Sequence, residues 1–248
     1  MKTTVIIPVY NRPNTLVLAV RSLIQHNEPV ELDILIVDDG STDETPQVIA
    51  KLVDAYPNVR SVWRDNGGVS KARNTGLDNL LDSTQIVTFL DSDDMMVPGR
   101  FIADVPILAN QPDIDVTYGN MIATNGLDPD TLAPIKDAAQ QEITSIHLSC
   151  GLFRRRLIER IGYFDETLPQ AEDTDYLLRI FESGTRFVQT TTVCHYYLRH
   201  SGSMTRKTNE TRKCFARALM KSLQRRKADP TLKIRKPDFD ILLPRELR

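Results

Sequence analysis

The sequence predicts an α/β protein built on a Rossmann-like, doubly wound sheet, and three observations support this. Within the first 120 residues, short apolar runs alternate with segments whose apolar residues recur at helical spacing. The apolar runs lack strict alternation with polar residues, which is typical of parallel strands covered by helices on both faces. A chain of 248 residues with 41% hydrophobic residues is also long enough to fill one large core.

The first 94 residues are predicted to form the regular half of this fold. Apolar periodicity and turn residues place strands and helices alternately along it. The predicted strands cover residues 4–8, 34–37, 59–63 and 86–90, and the predicted helices cover residues 16–24, 45–55 and 69–81. The run Ser41-Thr42-Asp43-Glu44 resembles a capping box, so we expect it to open the second helix.

Beyond residue 94 the pattern is less regular and predicts a mixed α+β half. Helices are expected at 100–109, 155–161 and 173–182, extended segments at 116–118, 186–190 and 194–198, and a polar loop at 125–134. No Gly/Ser-rich linker separates the two halves. We therefore expect one domain over residues 1–205, with halves at 1–94 and 95–205, followed by a basic helical tail over residues 206–248.

Cysteine usage and hydropathy restrict the compartment. Cys150, Cys194 and Cys214 are odd in number and lack C-x-x-C spacing, so neither a disulfide framework nor a zinc site is predicted from them. A reducing cytosol fits best. No apolar run approaches the roughly 18 residues that span a bilayer, and no signal-peptide cleavage site follows the first strand. We therefore expect a cytoplasmic protein.

The formal net charge of −2 conceals a division along the chain. Residues 206–236 carry twelve Lys or Arg against two acidic residues, whereas the 205 residues before them carry 17 basic and 28 acidic residues. Phe215, Leu219 and Leu223 recur every four residues in the basic segment and predict an amphipathic cationic helix. Such a helix either contacts an anionic membrane or packs on the domain, and both alternatives stay open. Nucleic-acid binding is disfavoured because the body is acidic and aromatic interleaving is absent from the sequence.

Polar residues follow three of the predicted strands, and two of these runs are acidic. The first strand ends in Pro8-Val9-Tyr10-Asn11, the second in Asp38-Asp39-Gly40-Ser41 and the fourth in Asp91-Ser92-Asp93-Asp94. Because the carboxyl ends of parallel strands share one edge, at least five carboxylates converge there, and their repulsion favours a bound cation or a hydrogen-bonded ligand. A Mg²⁺-like ion takes one or two carboxylates together with phosphates and water. The alternatives are a helix-capping turn for the second run and a solvated loop for the third.

Five motifs occur in an order that resembles family 2 glycosyltransferases with the GT-A fold. They are V-I-I-P-V-Y-N from residue 5, V-D-D-G-S-T-D from residue 37, G-V-S-K-A-R-N-T-G from residue 68, F-L-D-S-D-D from residue 89, and Glu172-Asp173. The resemblance covers roughly residues 3–205 and is weaker after Asp94. It implies a nucleotide-binding half at 1–94, an acceptor half at 95–205, and inverting, metal-dependent transfer of a hexosyl or N-acetylhexosaminyl group from a UDP-linked sugar.

The resemblance also implies roles for individual residues. Asp39 would accept a hydrogen bond from a uracil-like N–H, and Asp91 would contact the ribose. The other residues expected at the nucleotide are Pro8, Tyr10, Lys71 and Arg73. Asp93 would hold Mn²⁺ or Mg²⁺ between the phosphates, with His200 as a second ligand from the loop that closes over them. Supporting positions are Asp38, Asp94, Glu172, Asp175, Arg199 and Ser203.

An inverting transfer also needs a base, because the acceptor hydroxyl must lose its proton opposite the departing nucleoside diphosphate. Asp173 matches the base of the family. The alternative is that Glu172, Asp173 and Asp175 only stabilise a helix N-terminus, a contribution of about 0.3–1 kcal/mol each.

The remaining alternatives concern the class of activity. The only tryptophan is Trp63, so the Gln-x-x-Arg-Trp motif of processive relatives is absent from the sequence, and we expect single additions to a glycan or lipid-linked acceptor of cell-surface polysaccharide synthesis. A non-catalytic nucleotide-sugar binding module is the runner-up. A sugar nucleotidyltransferase is disfavoured because its Gly-rich first loop is missing. An oligomer is compatible with the sequence.

Overall fold

The computed structural model describes residues 1–25, 30–199 and 208–240. Its centre is a nine-stranded sheet. Eight strands lie in the order Val59–Trp63, Leu32–Asp38, Thr3–Val9, Ile86–Phe89, Gly151–Arg154, Val116–Thr124, Phe187–Leu198 and Met95–Met96, and the ninth, Gln140–Ile143, pairs with Val116–Thr124. Helices cover both faces of the sheet. The predicted α/β class with a mixed sheet is therefore confirmed.

The amino-terminal half is the regular, parallel part. Its strands are β1 (Thr3–Val9), β2 (Leu32–Asp38), β3 (Val59–Trp63) and β4 (Ile86–Phe89), and its helices are α1 (Pro13–Ile24), α2 (Thr45–Ala55) and α3 (Val69–Asp78). β1 and β4 are buried along their whole length. The continuous apolar runs that predicted parallel strands reflect this burial.

The predicted capping box at the start of α2 is wrong. The helix begins at Thr45, and Glu44 precedes it without a side-chain cap. The Ser41 hydroxyl is engaged elsewhere, because it accepts a hydrogen bond from the Asn11 N–H at 3.0 Å. Asp43 supplies the carboxylate that accepts from the Thr45 N–H at 2.9 Å. Ser41 and Thr42 thus join the loop after β1 to the loop after β2, whereas Asp43 bonds the first residue of α2.

The second half adds shorter and mostly antiparallel pairings. Its elements are β5 (Met95–Met96), α4 (Arg100–Asn110), β6 (Val116–Thr124), β7 (Leu127–Asp128), β8 (Ala133–Pro134), β9 (Gln140–Ile143), β10 (Gly151–Arg154), α5 (Arg155–Ile161), α6 (Glu172–Glu182), β11 (Phe187–Leu198) and α7 (Thr208–Ala228). The two extended segments expected after residue 185 form the single strand β11, whose register along β6 shifts twice. The polar loop predicted at 125–134 contains the small β7–β8 hairpin.

Two hydrophobic clusters fill the two faces of the sheet. Val5 and Ile7 of β1 face the cluster under α1, α2 and α4, whereas Ile6 faces the cluster under α3, α5 and α6. α3 approaches β1 closely, because a Cβ added at Gly76 would lie 2.5 Å from Cγ2 of Ile6. This approach packs α3, which carries Lys71 and Arg73, directly on β1.

The described part of the basic tail packs on the domain. On α7, Cys214, Ala218 and Ser222 are buried against α6. The segment after α7 returns to the sheet, where the Phe239 ring lies 5.9 Å from that of Tyr118. Within residues 1–25, 30–199 and 208–240, no helix is long and apolar enough to cross a membrane.

Candidate active site

The carboxyl ends of β1, β2 and β4 form the edge where the predicted site residues lie. Val9 pairs with Asp38 at the end of the β1–β2 ladder, so Tyr10 and Asp39 continue from adjacent strands. The Asp39 N–H donates to the Val9 carbonyl at 2.8 Å. Pro8 is buried within β1, and the Tyr10 side chain is exposed. An exposed ring beside a fixed backbone edge can stack on a planar ligand.

Asp39 is buried in a cradle built by the loop after β3. Its carboxylate accepts from the N–H groups of Gly67 and Gly68 at 3.1 and 2.7 Å and pairs with the Arg64 guanidinium. Gly68 has φ = 90°, a backbone conformation that favours glycine. The carboxylate therefore orders this loop, whether or not it also meets a ligand. Lys71 follows on the first turn of α3.

Arg73 joins the end of β4 to the start of α6. Its Nη2 donates to Asp91 at 2.8 Å, and its Nη1 donates to Glu172. Burial opposes the charge, but Asp91, Glu172 and Asp173 outweigh it and raise the pKa of Arg73, so the guanidinium stays protonated. A buried cation held between two carboxylates fixes both side chains in position.

Asp173 lies at the amino terminus of α6, next to this network. The helix starts after Ala171, which has the left-handed φ of 58°. Burial and the neighbouring carboxylate of Glu172 raise the pKa of Asp173 to about 7, with Arg73 acting in the opposite direction. A base works best when its pKa lies near the operating pH. Asp173 has the acidity that proton transfer at neutral pH requires.

Asp91 and Asp93 are the more open carboxylates of the edge. Their side chains are 32% and 23% exposed, and Arg12 Nη1 lies 3.2 Å from Asp93 Oδ2. Although burial opposes it, Arg73 lowers the pKa of Asp91, which keeps it ionised. Partly exposed carboxylate oxygens are the donor type that Mg²⁺ and Mn²⁺ accept, so this pair fits the implied ion. The predicted residues His200 and Ser203 lie outside the described residues.

Four supporting positions hold the local backbone or a neighbouring helix. Asp38 accepts from the Ser41 N–H at 2.9 Å, and Asp94 accepts from the Leu198 N–H at 3.0 Å. Asp175 pairs with Arg179 at 3.0 Å and with Arg225 of α7 at 2.8 Å. It therefore connects α6 to α7. The Arg199 N–H donates to the Thr124 carbonyl at 2.8 Å.

Sequence reasoning missed Arg12, Arg64, His147 and His195. Both arginines contact predicted carboxylates across loops, and both imidazoles lie within 3.8 Å of Asp94. No local pattern could have identified them, because each meets its partner over a long sequence separation. For the two histidines, the only feature of the sequence that suggested a place in the site was the residue type itself.

The family of the chain is established by comparison. A model described as Glycosyl transferase family 2 matches residues 4–162, which is more than half of the chain. The chain belongs to this family, as the motifs predicted.

Two curated relatives illustrate the family. Minor teichoic acid biosynthesis protein GgaA of Bacillus subtilis (strain 168) is 35% identical over 94 residues, covering 37% of this chain and 21% of that protein. Poly(ribitol-phosphate) beta-N-acetylglucosaminyltransferase TarS of Staphylococcus aureus (strain Mu50 / ATCC 700699) is 27% identical over 205 residues, covering 79% of this chain and 35% of that protein. The chain spans about a fifth to a third of the length of these relatives.

Solved structures share the fold. The chain matches S. aureus TarS 1–349 in complex with UDP-GlcNAc with a TM-score of 0.68 and 22% identity, over 92% of this chain and 73% of that one. It matches mannosyltransferase PcManGT from Pyrobaculum calidifontis in complex with GDP-Man and Mn²⁺ with a TM-score of 0.69 and 20% identity, over 90% and 64%. The predicted GT-A type fold is thereby confirmed.

Proposed function

We propose that the chain is an inverting, metal-dependent, non-processive glycosyltransferase that transfers one sugar from a nucleotide sugar to a glycan or lipid-linked acceptor. The catalytic unit is residues 1–205, with donor contacts in 1–94 and acceptor contacts in 95–205. The observation that carries the proposal is Asp173, whose pKa of about 7 suits a base, next to the Arg73–Asp91 pair at the strand edge.

The donor is proposed to be a UDP-linked hexose or N-acetylhexosamine. Support comes from the TarS structure in complex with UDP-GlcNAc and from relatives named for teichoic acid biosynthesis and for poly(ribitol-phosphate) glycosylation. The nucleotide would lie between the Tyr10 ring and the loop held by Asp39, with Asp91 at the ribose. Lys71 and Arg73 add positive charge beside it.

The reaction follows from the chemistry of the edge. The acceptor hydroxyl gives its proton to the Asp173 carboxylate as its oxygen bonds to the anomeric carbon. The bond from that carbon to the β-phosphate oxygen breaks, and the nucleoside diphosphate leaves. A divalent ion bound by Asp93, with His200 as the second expected ligand, would stabilise the charge on the leaving oxygens. Glu172 keeps Arg73 in position, and Arg73 keeps Asp91 in position.

The experiment is a panel of nucleotide sugars scored by thermal shift with Mn²⁺, followed by an assay of nucleoside diphosphate release. We expect one UDP-sugar to stabilise the chain and its UDP to be released when an acceptor is added. Stabilisation without release on any acceptor would favour a non-catalytic binding module. Release of pyrophosphate would favour a nucleotidyltransferase. The absence of stabilisation by every nucleotide sugar would contradict the proposal.

The acceptor is proposed to be presented from the cytoplasmic leaflet, where α7 contacts anionic lipid. Four apolar side chains of this helix are 39–54% exposed, and we call them the α7 stripe: Phe215, Leu219, Met220 and Leu223. Exposed cations accompany the stripe at Arg212, Lys213, Arg217 and Lys227. Each basic residue near an anionic surface contributes about 1 kcal/mol. The buried face of α7 is meanwhile occupied by α6, so the stripe is the face left for a partner.

The first turn of α7 lies near the amino terminus of α6, which carries Asp173. The Thr211 hydroxyl donates to Gln170 at 2.7 Å, three residues before Asp173. A lipid surface on α7 would therefore meet the side of the domain where the acceptor hydroxyl is deprotonated.

Sedimentation with vesicles of phosphatidylglycerol and phosphatidylcholine tests the lipid contact. We expect binding at low salt that weakens as salt rises, and its loss in the double variant Leu219→Gln/Leu223→Gln. Ile102→Gln, which removes an exposed apolar side chain from α4, is the matched control and should bind normally. No binding by the intact chain at low salt would contradict the contact. Dimers in solution that the double variant abolishes would assign the stripe to a second copy.

A further inference from the structure

Three polar side chains from distant parts of the chain meet below the strand edge. Asp94 follows the Asp91–Asp93 loop, His147 precedes a short 3₁₀ turn, and His195 lies within β11. Asp94 and His195 are almost completely buried, with 1% and 0% of the side chain exposed, and His147 retains 13%. Their donor atoms all lie within 4.8 Å of one another.

The buried atoms of this cluster have unmet hydrogen-bonding capacity. Asp94 Oδ2 and both ring nitrogens of His195 have no hydrogen-bond partner among the described residues. A buried polar atom without a partner costs about 1–3 kcal/mol. Two of these atoms, Asp94 Oδ2 and His195 Nε2, lie 3.8 Å apart, which is too far for a direct hydrogen bond and close enough for both to bind one ligand.

The distances suit a metal ion. Nε2 of His147 and Nε2 of His195 each lie 3.8 Å from the same oxygen, Asp94 Oδ2. An ion equidistant from three atoms with these separations would lie about 2.2–2.5 Å from each, and Zn–N and Zn–O bonds measure about 2.0–2.2 Å, so a small inward movement completes the coordination. The two imidazole rings are stacked, with their centroids 4.6 Å apart and their planes tilted by 30° to one another.

We propose that Asp94, His147 and His195 form a buried Zn²⁺ site. Two imidazole nitrogens and one carboxylate oxygen are a donor set that zinc accepts, and a water molecule can take the fourth position. Burial lowers the pKa of both histidines, which leaves them in the neutral form that binds metals. The long 3.4 Å contact from the Ser149 N–H to His147 Nδ1 is given up, because ligation at Nε2 puts the ring proton on Nδ1.

This site is distinct from the ion that would accompany the donor. Asp91 and Asp93 are partly exposed to solvent, whereas Asp94 Oδ2 is buried. The zinc would connect β11, the 3₁₀ turn and the loop from Asp91 to Asp94. It would thereby fix the position of the Asp91 and Asp93 carboxylates relative to the sheet. The inference does not rest on the proposed transfer activity.

Zinc binding to the intact chain, purified without a polyhistidine tag, tests the site. After chelator treatment and dialysis, the chain is titrated with Zn²⁺ alone in competition with a chromogenic chelator. We expect one Zn²⁺ per chain, and His195→Gln and Asp94→Asn should weaken binding by more than the roughly 10–100-fold that loss of an outer-shell partner costs. Asp137→Asn is the control, because it removes an exposed carboxylate outside the cluster and should leave zinc affinity unchanged.

A second measurement uses the wild-type chain, so it does not depend on whether a variant folds. The chain has four histidines, and we expect zinc to shift the imidazole NMR signals of two of them, with Co²⁺ giving the visible absorption of a tetrahedral site. Failure to bind one zinc, or unchanged zinc affinity in both His195→Gln and Asp94→Asn, would overturn the site. Neither experiment contains donor or acceptor, so its failure is separate from failure of the proposed transfer.

Discussion

The pH dependence of transfer is the sharpest consequence of the Asp173 environment. With a pKa of about 7, only about 9% of Asp173 is ionised at pH 6 and about 91% at pH 8, so kcat/KM should rise about tenfold over this interval. A carboxylate with an ordinary pKa would be fully ionised across the same range and would give a flat profile. The predicted rise of kcat/KM between pH 6 and 8 therefore reports the burial of Asp173 and the negative charge of Glu172.

Glu172→Gln tests the physical cause of the shift. Removing the adjacent negative charge should lower the pKa of Asp173 and move the acid limb to lower pH, while the limb keeps its unit slope. Asp175→Asn is the matched control on the same helix. Its carboxylate bonds Arg179 and Arg225, so the midpoint of the limb should stay near pH 7.

The assay is initial-rate release of nucleoside diphosphate between pH 5 and 9, with donor binding measured separately at each pH. A flat profile between pH 6 and 8 would refute the assignment of the raised pKa to a catalytic Asp173. A limb that Glu172→Gln leaves in place, or moves to higher pH, would refute the electrostatic reasoning.

Two further predictions concern the elements that hold the site. Gly76→Ala should lower the free energy of unfolding by about 1–3 kcal/mol, because the new Cβ would overlap Ile6 and force α3 away from β1. Urea denaturation should therefore show a lower midpoint. An unchanged midpoint would contradict the close packing of α3 on β1. Asp39→Asn should lower the free energy of unfolding by about 1–3 kcal/mol and weaken donor binding, because it removes the negative charge that accepts from the Gly67 and Gly68 N–H groups. Donor affinity is measured by calorimetry. A wild-type affinity in the variant would contradict the placement of Asp39 in the nucleotide pocket.

The sequence predicted the parallel half of the fold well because its signals are local. Apolar runs and turn residues lie next to each other in the chain, and β1, β2, β3 and β4 appear close to their expected bounds. Strands β9 and β10 were missed for a physical reason. β9 is polar except for Ile143, and β10 has only four residues, so neither carries a period that could be detected.

The sequence identified residues of the candidate site, but it did not reveal which side chains contact one another there. Asp91 and Asp173 were identified from motifs, but their connection through Arg73 depends on a contact between residues 99 positions apart, Arg73 and Glu172. The same limit applies to Asp94 and His195. Likewise, the charge pattern of the tail predicted a helix, but only the fold reveals which face of α7 is buried.

Single-turnover transfer by Asp173→Asn, measured together with its affinity for the donor, tests the central claim most directly. General-base catalysis contributes about 10²–10⁴-fold to rate, so the variant should bind donor and metal with wild-type affinity and transfer about 10²–10⁴-fold more slowly at pH 8. Transfer within a few-fold of the wild-type rate, with donor affinity unchanged, would contradict the assignment of Asp173 as the base.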